Sequence, residues 1–384
     1  MLTLLRNAEL YAPEARGRRD LLIGGERVLA IGEALPATPL ADEVDLAGAR
    51  VIPGLIDGHV HLGGGGGESG FASRVPPVTL GTLVRAGVTS VVGLLGTDTT
   101  TRTIEDLVAR TLGLRAEGLS AWCYGGGYQV PPRTLTGTVR GDVVFVDPII
   151  GVGELALSDH RSSQPTLDEL LRIASDCHVA GLTTGKAGIV HLHLGDGARG
   201  LDLVRRALDT AELPARVFQP THVNRNPRLL AEAIALATSH GVPIDVTAFD
   251  ASDDAPDAIV RCLDAPGFPA ARLTCSSDGA GCLPVFDGDG RLTSMDVGRP
   301  STLLAALRAL VGRGLPLERV VPVFTSNVAD QLRLPGKGRL VVGHDADLVI
   351  LDAAGAIDGV IARGRWMIRG GKQMMFGMFE RATS

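Results

Sequence analysis

The chain contains 384 residues with a formal net charge of −6, and 45% of its residues are hydrophobic against 21% that are charged. That balance is typical of a folded globular protein and argues against a disordered or fibrous chain. The charges are spread without an acidic or basic tail, and the longest apolar stretches fall short of the ~20 residues of a membrane helix, so we expect no nucleic-acid and no membrane partner.

The N-terminal residues have the pattern of short alternating strands and turns. Charge follows Met1 too soon, at Arg6, for a signal peptide, and the five cysteines are scattered without a Cys-x-x-Cys pair. We therefore predict reduced thiols and a cytoplasmic protein. Strand-like alternation returns in residues 338–372. Both chain ends are predicted to pair into one small β-sandwich domain, made of residues 1–50 and 338–384.

Between about residue 50 and residue 325, short β-branched runs alternate with longer helical patterns, which is typical of βαβ units and a parallel sheet. Eight runs are predicted to be strands: Val51–His61, Val88–Thr97, Ser120–Tyr128, Ile149–Ser158, Ile189–Asp196, Val217–Asn224, Pro243–Phe249 and Leu273–Gly279. Helices are predicted between them, for example Thr101–Glu117, Leu167–Val179, Gly200–Ala211, Pro227–Ser239 and Asp254–Leu263. Eight such units favour a closed (β/α)8, TIM-like barrel of α/β class over residues 51–337.

Histidines at the end of the first predicted barrel strand suggest a metal site. His59 and His61 occupy alternate positions, which point to the same face of a strand, so both imidazoles can reach one ion. Such a pair alone is equally compatible with a core or surface role. Further ligand types recur near the ends of later strands, where barrel enzymes hold their chemistry. These residues are Glu154, His193, His222 and Asp278. Together the six side chains predict a ligand set for two divalent ions.

The segment Pro53–His61 resembles the first-strand signature of the amidohydrolase superfamily, and Ala346–Val349 is similar to its C-terminal motif. Five loop segments resemble, within that superfamily, the bacterial isoaspartyl dipeptidases: Gly63–Glu68, Gly93–Asp98, Ser158–Ser162, Thr221–Asn226 and Ser276–Gly279. The resemblance extends from about Asn7 to Phe376. It implies hydrolysis of β-aspartyl (isoaspartyl) dipeptides by a metal-bridged hydroxide, two Zn²⁺ per chain, and a homo-oligomer.

The resemblance also assigns roles within the ligand set. It implies that His59, His61 and Asp278 bind the more buried ion, and that His193 and His222 bind the more exposed one. Two metal ions can lower the pKa of a bridging water toward neutrality. Asp278 would accept the proton of that water and pass it to the leaving amine.

One position departs from the family. Where the relatives carry a carboxylated lysine that bridges the two ions, this chain has Glu154, with one extra residue in the strand nearby. Glutamate ends in the same carboxylate but is several bonds shorter, so the backbone must approach the metals more closely. We expect Glu154 to bridge the ions, and the alternative is a weak second site in an enzyme that works with one ion. Lys186, the rival for carboxylation, precedes a strand and is interpreted as a loop residue.

A β-aspartyl dipeptide carries one ammonium and two carboxylates, so it needs one acidic and two cationic partners. The resemblance implies that Glu68 pairs with the ammonium, and that Arg161 and Arg225 bind the carboxylates with bidentate geometry. The glycines before Glu68 let the backbone approach the ligand closely.

Smaller contributions are implied for four more residues. Tyr128 would donate a hydrogen bond to the developing oxyanion, with a packing role as the alternative. Thr97 would contact substrate. Cys282 stands where the family has serine and is a poorer hydrogen-bond donor, so substrate preference can differ. His191 lies on the same side of its strand as His193 and could support the metal site from behind.

Two other functions stay open at this point. Another amidohydrolase, acting on N-acyl amino acids or cyclic amides, would share the metal ligands but not the need for two arginines. A scaffold of the same fold without catalytic activity would be expected to lose metal ligands, and here only the bridging lysine is replaced.

Overall fold

The computed structural model describes residues 2–249, 254–289 and 291–381, so the predicted domain limits at residues 1 and 382–384 lie outside the described residues. In the described part of the chain the strands are β1 (Leu2–Tyr11), β2 (Ala15–Gly24), β3 (Arg27–Gly32), β4 (Ala41–Asp45), β5 (Arg50–Pro53), β6 (Leu55–Val60), β7 (Val88–Gly93), β8 (Ser120–Gly125), β9 (Ile149–Leu157), β10 (Ile189–Leu194), β11 (Phe218–Thr221), β12 (Ile244–Thr247), β13 (Leu273–Ser276), β14 (Cys282–Phe286), β15 (Leu292–Val297), β16 (Leu348–Leu351), β17 (Ile357–Ala362), β18 (Arg365–Arg369) and β19 (Lys372–Gln373). The helices are α1 (Leu80–Val84), α2 (Ile104–Glu117), α3 (Val139–Phe145), α4 (Leu167–Thr184), α5 (Asp202–Thr210), α6 (Pro227–His240), α7 (Asp254–Asp264), α8 (Ser301–Gly312), α9 (Leu317–Phe324) and α10 (Ser326–Gln331).

Parallel strands form the centre of the molecule. Strands β6 to β11 make one curled sheet in sequential order, and β12 pairs with β13. The backbone N–H of Val223, after β11, donates to Asp245 O in β12 at 3.3 Å, and that of His61 donates to Gly279 O, after β13, at 2.9 Å. Each of the eight predicted strand runs contains one of these strands. The mixed α/β class and the alternation of strand and helix are therefore confirmed.

The prediction that Val51–His61 forms a single barrel strand is wrong. Residues of β5 pair with β1 and β16 in a second sheet, whereas β6 pairs with β7. Gly54 separates them, and a Cβ at Gly54 would lie only 2.1 Å from Thr89 Oγ1. The chain changes sheets at a residue where the close approach of β7 leaves no room for a side chain.

Strands from both chain ends share that second sheet, as the sequence pattern indicates. Its order is β19-β18-β17-β16-β5-β1-β2-β3, with β4 also paired to β1. A separate apolar cluster fills one face of it, with Leu5, Leu10, Ile23 and Leu348 fully buried. The N-terminal and C-terminal segments are thus joined by backbone hydrogen bonds between β5 and β16.

The five helices predicted by name are present, with ends that differ from the predicted ones by up to five residues, the most at the end of α4 (Thr184 in place of Val179). The side chain of Thr103 accepts from Asp106 N at the start of α2, and Thr166 forms a capping box with Glu169 at the start of α4. Asn226 caps α6, whose first residue is proline. The apolar faces of these helices join the strands in the largest core cluster. No helix among the described residues is long and apolar enough to cross a membrane.

A hairpin after the last parallel strand is among the elements that were not predicted. Strands β14 and β15 form an antiparallel hairpin directly after β13. The signal was present, because Asp287-Gly288 lies between two strand-like runs, and Asp-Gly is a common hairpin turn.

Candidate metal centre and substrate cavity

The six predicted metal ligands come together at the carboxyl ends of the parallel strands. They lie in or directly after β6, β9, β10, β11 and β13, and all six are buried: His59, His61, Glu154, His193, His222 and Asp278. His222 and Asp278 have positive φ values of 60° and 52°. His222 directly follows β11 and Asp278 lies two residues after the end of β13, where this left-handed turn changes the direction of the chain.

Two carboxylates face the first pair of histidines. Asp278 Oδ1 lies 3.3 Å from His59 Nε2 and 3.1 Å from His61 Nε2. The corresponding distances from the Glu154 carboxylate are 3.6 Å and 3.4 Å, with a different oxygen toward each histidine. His59, His61 and Asp278 therefore form one group that could hold an ion.

Glu154 also faces the other pair of histidines. Its Oε2 lies 3.1 Å from His193 Nδ1 and 3.5 Å from His222 Nε2. A second group that could hold an ion consists of His59, Glu154 and His222. One carboxylate thus contacts four imidazoles, which is the arrangement required of a bridging ligand.

The residues present fit a divalent metal. Ligand atoms bound tetrahedrally at ~2.0–2.2 Å lie roughly 3.3–3.6 Å apart, and the distances around Glu154 fall between 3.1 Å and 3.6 Å. Two buried atoms that face each other in this cluster, His59 Nε2 and Asp278 Oδ1, have no hydrogen-bond partner among the described residues. Buried polar atoms without partners are rare, and a cation would satisfy both.

A β-bulge brings Glu154 to this position. Along β9 the register against β10 shifts by one residue, since Val152 pairs with Val190 but Leu155 pairs with Leu192. The extra residue noted in the sequence is accommodated in this bulge. Gly153 is needed there, because a Cβ would lie 2.6 Å from the Cβ of His191. The bulge accounts for how a side chain shorter than carboxylated lysine reaches the histidines.

Burial and neighbouring charges shift the pKa values of several groups in this cluster. Burial alone lowers the pKa of His59, but the charges of Glu154 and Asp278 outweigh burial and raise it to about 9. Burial alone raises the pKa of Glu154, yet the surrounding histidines hold it well below its usual range. His222 behaves in the opposite way to His59, since burial lowers its pKa to about 3. The site therefore holds ionised carboxylates beside imidazole donors.

His191 contacts a predicted ligand from behind, as the alternation along β10 suggests. Its Nε2 lies 2.8 Å from His59 Nδ1, and its Nδ1 lies 3.3 Å from Gln219 Oε1. Gln219 Nε2 in turn donates to Gln331 Oε1 in α10. Burial holds the pKa of His191 well below its usual range. A neutral His191 can accept the Nδ1 proton of His59 and leave Nε2 facing the carboxylates.

Buried carboxylates that the sequence reasoning missed join the strands beneath the site. Asp245 in β12 accepts hydrogen bonds from the hydroxyls of Thr221, Thr274 and Ser276 in the two neighbouring strands. Asp57 in β6 similarly accepts from Ser277 N at 3.2 Å and from its hydroxyl. These bonds fix the relative positions of strands that carry metal ligands.

A cavity of about 620 Å³ opens above the ligands. The predicted metal ligands and substrate contacts that line it are His61, Glu154, His193, Asp278, Glu68, Thr97, Tyr128, Arg161, Arg225 and Cys282. The hairpin β14–β15 contributes Leu283, Val285 and Met295 to one wall. All seven predicted substrate and catalytic side chains therefore face the same space as the metal ligands.

Charges of both signs line this cavity. Glu68 Oε1 accepts from Thr97 Oγ1 at 3.0 Å and lies 3.4 Å from Arg161 Nη1. The other oxygen, Glu68 Oε2, is buried and has no hydrogen-bond partner in the part of the chain that the structure describes. Arg225 reaches the cavity from the loop after β11 while its Nε donates to Leu194 O at 2.9 Å. The cavity thus offers an acceptor for a cation beside donors for anions.

Tyr128 and Cys282 complete the wall. The hydroxyl of Tyr128 lies 2.8 Å from His193 Nδ1, and the Arg161 guanidinium lies over its ring at 5.4 Å. Burial and the nearby Glu154 charge raise the pKa of Tyr128 well above its usual value, so the phenol stays a donor. Burial likewise raises the pKa of Cys282 to about 12, which keeps it a neutral thiol.

Lys186 lies away from this centre. Its Nζ donates to the backbone oxygens of Val143 and Val146 at 2.7 Å and 2.8 Å, at the opposite end of β10 from His193. The interpretation of Lys186 as a loop residue is confirmed.

Comparisons with known proteins extend over the whole of this architecture. Residues 50–367 match the amidohydrolase family. The chain is similar to the solved β-aspartyl dipeptidase of Fervidobacterium islandicum AW-1 in complex with a β-Asp-Leu dipeptide: the two are 39% identical, 98% of this chain and 99% of that chain are covered, and the TM-score is 0.94. The N-isopropylammelide isopropylaminohydrolase of Burkholderia multivorans shares the fold at 19% identity over 97% of this chain and 100% of that chain, with a TM-score of 0.64. An allantoinase of Deinococcus radiodurans is 26% identical over 91% of this chain and 86% of its own length.

Proposed function

The chain belongs to the amidohydrolase family, and from that premise we propose that it hydrolyses β-aspartyl dipeptides in a metal-dependent reaction. The observation that carries the proposal is the composition of one cavity. A metal-ligand cluster forms its base, and the charged lining residues predicted to contact substrate are Glu68, Arg161 and Arg225, one carboxylate and two guanidiniums. The other charged residues of the lining are Asp98, Arg102, Asp254 and Asp296. A ligand with one ammonium and two carboxylates is the complement of the three predicted substrate contacts.

Sequence similarity supports this substrate class over the alternatives. The Fervidobacterium β-aspartyl dipeptidase shares 39% of its residues with this chain, whereas the Deinococcus allantoinase shares 26%. Another amidohydrolase activity is therefore less well supported. A scaffold without activity is disfavoured because six ligand-type side chains converge in one buried cluster.

The metal content is part of the proposal. We infer two divalent ions, zinc by the resemblance, held by His59, His61 and Asp278 on one side and by His193 and His222 on the other, with Glu154 between them. When bound, such ions polarise a carbonyl and lower the pKa of water.

Side chains of the cavity would transfer the protons and bind the substrate. Asp278 Oδ1, which is ionised and has no hydrogen-bond partner within the described ranges, is the base that takes a proton from the attacking water and returns it to the leaving amine. Tyr128 keeps its proton and donates to the oxyanion. Glu68 Oε2 accepts from the substrate ammonium, and Arg161 and Arg225 bind its carboxylates. Thr97 holds Glu68 through a hydrogen bond.

Architecture and assembly complete the proposal. We infer that the curled parallel strands form a closed (β/α)8 barrel of residues 51–337, and that residues 1–50 and 338–384 form a β-sandwich domain. A homo-oligomer and a cytoplasmic location remain predictions from the resemblance and from the scattered cysteines. Light scattering on the purified protein would measure the oligomeric state.

Amine release from β-Asp-Leu, with α-Asp-Leu as the control substrate, tests the function. Zinc-loaded protein is expected to cleave the β isomer selectively, and Glu154→Ala is expected to abolish turnover. If neither dipeptide is cleaved while zinc is bound, the substrate class is wrong and a screen of other amides replaces it.

A further inference from the structure

Asp159 lies between two cavity residues without lining the cavity itself. Its carboxylate is 8% exposed and follows β9 in the loop that also carries Arg161. Asp159 Oδ2 lies 3.0 Å from His193 Nε2 and 2.7 Å from Arg161 Nη2. Its Oδ1 accepts from Arg161 Nε at 3.0 Å and from the Arg161 backbone N–H at 2.8 Å. One carboxylate is thus shared by a proposed metal ligand and a proposed substrate-binding residue.

The contact with His193 determines which ring nitrogen carries the proton. His193 Nδ1 faces Glu154 Oε2 at 3.1 Å, so Nδ1 is the atom available to a metal. A neutral imidazole that binds a metal through Nδ1 carries its proton on Nε2, and that N–H donates to Asp159 Oδ2. A carboxylate behind a metal-binding histidine sets the tautomer and the ring orientation.

The contact with Arg161 is a fork of two parallel hydrogen bonds, the strongest geometry for this pair. It directs the remaining nitrogen, Nη1, toward Glu68 in the cavity. The close approach of the loop to β10 depends on Gly195, where a Cβ would lie 2.6 Å from the Cβ of Asp159. Both partners are therefore held by one rigid group.

We propose that Asp159 is a positioning residue that orients His193 toward the metal and Arg161 toward the substrate at the same time. The part of this proposal that concerns substrate binding rests on the proposed function, whereas the part that concerns metal binding does not. Since both contacts depend on one carboxylate, loss of its charge weakens zinc binding and dipeptide binding together. A role limited to fold stability would change neither.

The test compares Asp159→Asn with Asp142→Asn. Asp142 is also buried, at 1% exposed against 8% for Asp159, but among the described residues its side chain accepts hydrogen bonds only from Leu135 and Thr136, outside the cavity. Zinc affinity is measured by chelator competition in the absence of dipeptide, and KM and kcat are then measured with β-Asp-Leu. Asp159→Asn is expected to lower zinc affinity ~10–100-fold and to raise KM. Asp142→Asn is expected to change thermal stability only.

Wild-type zinc affinity or wild-type KM in Asp159→Asn would overturn the proposal. If Asp159→Asn does not fold, Arg161→Gln provides the test. Arg161 is not a proposed metal ligand, yet its loss removes the fork that orients Asp159, so zinc affinity is expected to fall severalfold, and an unchanged affinity would refute the coupling. If the wild-type protein fails to cleave β-Asp-Leu, the proposed function is wrong. The zinc measurements would still decide whether Asp159 orients His193 toward the metal.

Discussion

Glu154→Gln is the sharpest test of the metal centre, because it keeps the shape of the side chain and removes its charge. The carboxylate is 1% exposed and lies within 3.6 Å of four imidazole nitrogens. Loss of a partner behind a metal ligand costs ~10–100-fold in metal affinity. Loss of a carboxylate that is proposed to bridge two ions should exceed that range, so we expect a fall of more than ~100-fold, or about 2.7 kcal/mol.

Chelator competition and zinc content after gel filtration measure this effect. Glu169→Gln is the matched control, since Glu169 lies at the start of α4 and glutamine can also serve in its capping box. We also expect zinc loading of the wild type to be independent of added bicarbonate, because a glutamate needs no carboxylation. Wild-type zinc affinity in Glu154→Gln, or a bicarbonate requirement, would refute the assignment of Glu154 as the bridge.

Three further predictions concern the same centre. In the metal-free protein burial lowers the pKa of His59, but the adjoining carboxylates raise it to about 9. Below that pH zinc must displace a proton from His59, so the zinc affinity should rise as the pH approaches the pKa of His59. Calorimetry in two buffers of different ionisation enthalpy should then give different heats, and equal heats would contradict the shift. His191→Phe removes the partner of His59 Nδ1 and should lower zinc affinity ~10–100-fold in the same chelator assay, and an unchanged affinity would show that His191 is not needed. Gly153→Ala should displace the bulge in β9 and release zinc. The control is Gly113→Ala, in α2 with open space around it. It should leave zinc bound and raise the free energy of unfolding, measured by denaturant titration, by ~0.5–1 kcal/mol. Retention of zinc by Gly153→Ala would mean that the bulge does not position Glu154.

The proposed metal ligands other than Glu154 could be predicted from the sequence because each stands within two residues of a strand end, where a periodic pattern stops at a ligand-type residue. His59 and His61 add the alternation that puts two side chains on one face. The strand boundary at Gly54 could not be predicted in this way, because it depends on how closely a strand thirty residues away approaches. No periodic pattern records such a distance.

Asp159 was missed for a related reason. Its partners His193 and Arg161 lie on different elements, and only the folded loop shows that one carboxylate meets both. The bulge at Glu154 could be predicted only in part. The extra residue is visible in the sequence, but its consequence appears only in the register against β10.

The joining of β5 to β16 has a consequence for how the protein is made. Strand β6, which carries His59, is separated from β5 by a single residue, and β5 pairs with residues almost three hundred positions later in the chain. During synthesis from the N-terminus, β16 leaves the ribosome long after β5 and after every parallel strand from β6 to β13. The pairing of β5 with β16, next to the strand that carries His59, therefore forms only after Leu351 has emerged, and a chain that stops before β16 lacks it.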